Sequence, residues 1–270
     1  KSKRKLKQKS NLLDNATLLI PCAGEGKRFL KEGYSDPKPL IKVSNKPMLI
    51  NAVEDLPFIK NKKFIFQENM PKLNAIKAYL EDEYPDSTIQ LLKEKTSGQA
   101  STCLLGMKNI DENKPLIISA CDNGLIYSIN KLNDLLNNKS VDIIVWGCRE
   151  YPGAIKNPNM YGWINEENNL VNKISVKKLS KDKFRDPIVT GTFYFRKASI
   201  FKIITNQLIK NNTKINDEFY VDSAINNAIE MGYKVAYFEV EFYLCWGTPN
   251  DLLTYKYWQD CFNKFTSHKY

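Results

Sequence analysis

Short, continuously apolar runs recur along this chain, and the stretches between them carry apolar residues every three to four positions. Residues 16–22 form such a run, ending at glycines, and read as a strand buried on both faces of a parallel sheet. Residues 63–67, 88–92, 115–120 and 142–147 repeat the pattern. Met48, Ile50, Ala52, Val53 and Leu56 give a helical apolar face behind Pro47, a residue favoured at the first helical position. Residues 73–84 and 99–109 read as two further helices. Strands alternating with helices at this spacing predict βαβ units, hence an α/β fold with a Rossmann-like, mostly parallel central sheet flanked by helices and ligands at the carboxyl ends of its strands. Residues 24–46 read as a loop from the first strand to the helix behind Pro47.

Beyond residue 150 the rhythm changes. Residues 161–164, 170–176 and 188–195 are strand-like pieces divided by polar turns, a β-rich insertion. Helices are expected at 198–210 and 219–231, a strand at 234–238, a turn at 245–249 and a last helix over about 250–263. The organisation that follows is a basic flexible tail or linker at 1–15 and one domain at 16–265, its first part about 16–150 and its second about 151–265.

Composition narrows the classes open to it. At 43% hydrophobic residues the chain can fill a core, yet it holds no apolar run of about eighteen residues, which argues against a transmembrane helix. The expectation is a cytoplasmic protein without a membrane partner. The six cysteines lie far apart without a C-x-x-C pair and read as reduced thiols rather than a zinc site or disulfide framework. Of the net charge of +10, Lys1, Lys3, Arg4, Lys5, Lys7 and Lys9 supply a large share; the segment reads as a solvated linker, and no aromatic platform beside it suggests nucleic acid. A chain opening on Lys1 is expected to be a piece of a longer polypeptide. The single histidine, His268, excludes Ser-His-Asp, Cys-His and H-E-x-x-H chemistry from the rest of the chain.

The candidate chemistry starts at Gly24-Glu25-Gly26-Lys27-Arg28-Phe29, followed by Asp36-Pro37-Lys38-Pro39-Leu40. Glycines let backbone N–H groups approach an anion, and the cations neutralise it, so the stretch reads as a polyphosphate loop. It is not a dinucleotide fingerprint, because Phe29 stands where a third glycine is needed, and Gly24 and Gly26 cannot supply the spacing of a P-loop. The Gln99 loop and Asp122 fall at strand ends on the same rim.

These residues resemble the sugar-phosphate nucleotidylyltransferase family. Gly24 to Phe29 is similar to its signature loop, Pro37-Lys38-Pro39-Leu40 with Lys46-Pro47-Met48 to the continuation, and Ser97-Gly98-Gln99-Ala100 to the base-contacting segment. Cys121-Asp122-Asn123 resembles the metal-bearing aspartate, Tyr161-Gly162 and Thr190-Gly191-Thr192-Phe193-Tyr194-Phe195 the sugar pocket, and Trp246-Gly247-Thr248-Pro249 the closing motif. The resemblance implies a nucleotide-binding fold shared with one large class of glycosyltransferases. The implied reaction is attack of a sugar phosphate on the α-phosphorus of an NTP, with release of pyrophosphate, for example in surface polysaccharide synthesis. A phosphomonoester with a second pKa of about 6 is already mostly dianionic near neutrality, so positioning and charge neutralisation suffice without a general base.

On this resemblance Arg28, Lys38 and Asp122 are the catalytic residues, and Ala23, Gly24, Gly26, Lys27, Gly98 and Gln99 bind the nucleotide. Gly162, Gly191, Lys177 or Lys178, and Asp217 or Glu218 face a phosphorylated sugar or polyol. Asp122 holds Mg2+, with Asp222 or water completing its coordination. A homo-oligomer is compatible with the family. Three positions depart from its pattern: Lys27 replaces a small hydroxyl residue, Val176-Lys177-Lys178 replaces Glu-Lys-Pro, and Cys245 stands where relatives often carry a second metal-binding Asp. That last departure, together with Lys27, keeps open a non-catalytic nucleotide-sugar-binding regulatory domain. A glycosyltransferase is disfavoured because Asp122-Asn123-Gly124 lacks the second acid of a D-x-D motif. The sequence leaves the base of the NTP and the acceptor unassigned.

Overall fold

Leu18, Leu19 and Ile20 have no solvent exposure, because their strand lies inside a sheet covered on both faces. The structure is a computed structural model that describes residues 10–179, 182 and 184–264. The basic segment at 1–9, residue 265 and His268 lie outside the described residues. In chain order the first part holds β1 (Thr17–Pro21), α1 (Lys27–Lys31), a small hairpin of β2 (Lys42–Val43) and β3 (Lys46–Pro47), α2 (Met48–Glu54), β4 (Asn61–Gln67), α3 (Leu73–Glu83), β5 (Thr88–Leu92), α4 (Gln99–Gly106), β6 (Leu116–Ile118), β7 (Asn123–Ile126), α5 (Ile129–Asn137) and β8 (Ile143–Cys148). The second holds α6 (Pro152–Lys156), β9 (Gly162–Glu167), β10 (Leu170–Val176), β11 (Ile188–Phe195), α7 (Ala198–Lys210), α8 (Val221–Glu230), β12 (Val235–Glu239), β13 (Phe242–Cys245) and α9 (Pro249–Lys264).

Nine strands form one sheet in the order β5-β4-β1-β6-β11-β8-β12-β10-β9. β1, β4, β5 and β6 are parallel, as is β12 to β8, whereas β11 runs antiparallel to both of its neighbours and β10 to both of its own. Side chains alternate between the faces: Leu18, Ile20 and Ile117 enter one core, while Leu19, Leu116 and Ile118 enter the other. The expected α/β architecture with a central sheet and flanking helices is observed. The β-rich part is not appended to it, because β11 sits between β6 and β8 and both parts share the sheet.

Three differences from the sequence reading have local causes. The stretch at 24–46 is not one loop: it contains α1, a 3₁₀ turn at Lys38–Leu40 and the β2–β3 hairpin. Phe29, Ile41, Val43, Met48 and Ala52 close it into a small third core with Trp246 and Leu252. Helix α5 is an additional element, amphipathic through Leu132 and Leu136 and capped by Ser128, whose hydroxyl accepts from the Lys131 N–H at 3.4 Å. Residues 10–15 are not tail-like, since Asn11–Leu13 form a 3₁₀ turn and Leu13 is fully buried in the core. No helix among the described residues is long and apolar enough to cross a membrane.

The inserted strand β11 is paired on both sides, so truncating its buried side chains should be costly. Phe193 is fully buried and pairs with Ile118 on one side and Val145 on the other. Phe193→Ala is expected to cost about 3–5 kcal/mol, read as a lowered urea midpoint in equilibrium unfolding.

Candidate active site

The carboxyl ends of β1 and β6 carry Ala23 and Asp122 to one rim, and a cavity of 470 Å³ opens there. Ala23, Gly24, Gly26, Lys27, Gly98 and Gln99 line it, together with Arg28, Lys38 and Asp122, so nine of the residues singled out in the sequence are brought together. Phe29, buried and edge-on to Tyr34 at 5.1 Å, anchors α1 and leaves Lys27 and Arg28 on the cavity side. Pro39, Leu40 and Ile41 are buried likewise and turn Lys38 toward Asp122. The Lys38 ammonium donates to the Asp122 carboxylate. Burial works against the lysine's charge, but the Asp122 carboxylate outweighs it and raises its pKa. The Asp122 carbonyl accepts the Trp246 N–H at 2.9 Å, which ties the closing motif to the same strand end.

The far wall of this cavity is fixed through backbone. Phe219 donates its N–H to the Ser97 carbonyl at 2.7 Å and accepts the Ala100 N–H at 2.9 Å. Gly98 lies between at φ 119°, and a Cβ there would stand 2.6 Å from the Phe219 backbone, so only glycine fits. At the mouth, Glu25 pairs with Lys27 at 2.9 Å and Lys95 at 3.4 Å.

A second cavity of 380 Å³ adjoins the first, and Arg28, Gln99, Ala120, Asp122, Tyr220 and Gly247 line both. Gly162, Lys177, Gly191 and Asp222 line the second. The Gly191 carbonyl accepts the Ala120 N–H at 3.1 Å, so β11 carries this wall directly to Asp122. Lys177 adopts φ 51° after β10, turns inward, donates to the Met160 carbonyl and stands 5.6 Å from the centre of the Tyr220 ring. Burial lowers its pKa, Asp222 partly opposes that, and Arg28 adds to it.

Three expectations need correction. Lys178, one residue past the turn, is exposed and lines neither cavity. Asp217 is also exposed and lines neither, because Asn216 and Asp217 adopt φ 50° and 61° in a tight turn closed by the Ile215–Glu218 bridge. Glu218 lines the first cavity rather than the second. Asp122 and Asp222 both line the second cavity, and among the described residues no group of three or more His, Cys, Asp or Glu side chains is arranged to hold an ion. Cys245 lines the second cavity with its thiol pushed up to about 12, chiefly by burial and then by the Asp122 and Asp251 charges, so it is a neutral thiol.

Sequence reasoning passed over several lining residues. Asn123 is buried and donates to the Thr190 carbonyl at 3.0 Å. Asp251 accepts from the Thr248 hydroxyl at 2.6 Å while its own N–H donates back to that oxygen at 3.1 Å. The reciprocal pair starts α9 and was legible as a Thr-x-x-Asp capping pattern. Lys95 and Tyr243 carry no comparable signal.

The family described as nucleotidyl transferase matches the chain over residues 18–262. No curated protein matches it in sequence. Among solved structures it resembles the nucleoside-diphosphate-sugar pyrophosphorylase from Vibrio cholerae RC9, at 16% identity and a TM-score of 0.72, covering 88% of this chain and 98% of that one. It also resembles the inositol-1-phosphate CTP transferase from T. maritima, at 15% identity and a TM-score of 0.71, covering 93% and 97%. At these identities the likeness is one of fold.

Within the second cavity Asp222 is electrostatically the most costly group. Burial raises its pKa to about 6, and Lys177 offsets only part of that. The folded state thus binds this proton more tightly than the unfolded chain, so the associated stability is present below the ordinary carboxylate value and lost as pH rises through about 6. Asp222→Asn is expected to stabilise the fold by roughly 1–3 kcal/mol at neutral pH. The gain should vanish near pH 4, as followed by chemical unfolding across that range.

Proposed function

The chain belongs to the nucleotidyl transferase family, and on that premise we propose that it moves a nucleotidyl group from an NTP to a phosphorylated sugar or polyol, giving an NDP-sugar or its analogue and pyrophosphate. One arrangement carries the reading: Arg28 and Asp122 line both cavities, and Lys38 is paired with Asp122 where the two meet. A nucleotide in the first cavity would present its α-phosphate at that junction to an acceptor in the second.

In this reading the amides of the loop from Ala23 to Gly26 receive the phosphates, and the Arg28 guanidinium engages their oxygens with its planar fork of donors. Lys38 neutralises charge gathering on the transferred group, a contribution strengthened by its partly buried setting. Lys27 adds a cation at the mouth, Gly98 and Gln99 face the base, and Lys177 faces the acceptor phosphate. That phosphate is already a nucleophile near neutral pH, so the site's lack of histidine is no obstacle.

Members of the family generally work with a divalent metal. The donors fit Mg2+ in the mode in which one carboxylate, here Asp122, acts with substrate phosphates and water, because Mg2+ keeps several waters and takes one or two protein carboxylates. When bound, the ion would neutralise and orient phosphate oxygens. Cys245 offers only a soft, neutral sulfur and is outside this set.

Supply of an activated sugar for surface polysaccharide, in the cytoplasm, is the wider role we infer. A second reading, a nucleotide-sugar-binding regulatory domain on the same fold, is favoured by Cys245 and Lys27. One assay separates them. Protein with Mg2+, each of four NTPs and a panel of sugar and polyol phosphates should release pyrophosphate. Arg28→Ala or Asp122→Ala should lower kcat by about 10²-fold or more, the scale of losing one transition-state contact. Thermal stabilisation by nucleotide without any pyrophosphate would support the regulatory reading instead.

A further inference from the structure

Two cysteines line the first cavity, one at the end of each of two adjacent strands. β1 and β6 pair in parallel with Thr17 opposite Leu116, Leu18 opposite Ile117 and Leu19 opposite Ile118, and the ladder continues through the Ser119 N–H, which donates to the Leu19 carbonyl at 3.2 Å. The same register carried to the end of β1 sets Cys22 opposite Cys121. Side chains alternate along both strands, so Leu18, Ile20 and Cys22 share a face with Ile117 and Cys121, and all five pack in the same core. Neighbouring strands stand about 4.8 Å apart, inside the Cα separation of about 4.4–6.8 Å that a disulfide requires. Cys22 is buried and Cys121 partly exposed, and both are free thiols. The two face each other: the Cys22 pKa is pushed well up, first by burial and then by a hydrogen bond with the Cys121 thiol, with the Asp122 charge adding to this and Lys38 opposing it. Nucleotidyl transfer to a phosphate asks for no thiol, so the pair has no part in the chemistry proposed above.

We propose that Cys22 and Cys121 form a redox-sensitive pair that a peroxide converts into a disulfide, and that the bond switches the site off by drawing the end of β6 against the glycine loop. Hydrogen peroxide, small and neutral, can enter the 470 Å³ cavity. The partly exposed Cys121 reacts first. Its sulfur, as thiolate, attacks one peroxide oxygen and the O–O bond breaks; the departing hydroxide takes the proton that Cys121 gave up and leaves as water, with a sulfenic acid remaining on Cys121. The Cys22 sulfur then attacks the Cys121 sulfur, the S–O bond breaks, and the hydroxyl leaves with the Cys22 proton as a second water. Two thiols and one peroxide thus become one disulfide and two waters, with two electrons passing from sulfur to oxygen. Closing an S–S bond of about 2.05 Å from two separate thiols draws the sulfurs together by roughly 1 Å or more. Ala23 follows Cys22 directly and Asp122 follows Cys121, so the pull reaches both the phosphate-receiving loop and the carboxylate paired with Lys38. A displacement on the order of 1 Å at a reacting centre is worth about 10²-fold in rate. The effect on turnover rests on the transfer reading above; the bond itself does not.

The test exposes reduced protein to hydrogen peroxide and then removes the excess with catalase. Non-reducing peptide mapping by mass spectrometry should find the peptides carrying Cys22 and Cys121 joined, and dithiothreitol should part them again. Pyrophosphate release by the oxidised protein should be slower by about 10²-fold and recover with dithiothreitol. Two variants are each compared with their own reduced form, so a change in starting activity or stability does not enter. Cys121→Ser should keep its activity through peroxide. Cys22→Ala should give no cross-link and a Cys121 sulfenic acid that dimedone traps. Absence of the cross-link in native protein, a bond to another cysteine such as Cys245, or irreversible oxidation of Cys121 alone overturns the pairing. A mapped bond with unchanged turnover, or equal inactivation of Cys121→Ser, overturns the switch. Absence of pyrophosphate from reduced native protein with every acceptor strikes the transfer reading separately. Peptide mapping then still decides the pair, and the switch is read as loss of NTP-induced thermal stabilisation on oxidation; stabilisation that does not fall on oxidation overturns it.

Discussion

The contact between Lys38 and Asp122 is the constraint around which the cleft is built. An ammonium removed from most of its water keeps its charge only if an opposite charge faces it. Asp122 supplies that charge from the end of β6, and the buried Pro39, Leu40 and Ile41 hold Lys38 in place from a different part of the chain. The backbone of Asp122 is held in turn by the Trp246 N–H, and Trp246 shares its small core with Phe29 of α1. The glycine loop, the Lys38 turn, the β6 end and the closing motif therefore cannot shift independently. Pre-positioned charge is what a phosphate-transferring site needs, because a site that must reorganise during reaction gives up much of its electrostatic benefit.

A second constraint is topological. Because β11 enters the sheet between β6 and β8, the wall of the second cavity is hydrogen-bonded directly to the strand end that carries Asp122. The backbone pairing of Phe219 with Ser97 and Ala100 joins the opposite walls in the same way. The two cavities consequently meet along rigid elements rather than across a flexible interface, which favours a fixed distance between whatever occupies them.

The aspartates of the cleft show how environment assigns roles to identical side chains. Asp122 is paired with a cation and Asp251 is spent on starting α9, whereas Asp222 is left raised toward neutrality by burial. A carboxylate that burial raises, with Lys177 offsetting only part of the cost, does not serve stability at neutral pH. Cys245 belongs to the same contrast, as a neutral thiol beside two carboxylates.

The periodic apolar runs were enough to determine the α/β class, most central strands and the helices behind Pro47 and at 73–84, because burial on a sheet or helix face leaves a local record in sequence. The residues of the first cavity were legible for a related reason: glycines beside cations at a strand end are a local arrangement. Other features left no such record. The place of β11 depends on pairing between segments about seventy residues apart, and α1 and the β2–β3 hairpin are too short for periodicity to reveal. The selection of Lys177 over Lys178, and of Asp222 over Asp217, turned on single backbone angles and on the room left by Gly162. Sequence determined which chemistry the chain carries; only tertiary structure decided which copies of a side chain face the cavity, because that choice is made by contacts between distant segments.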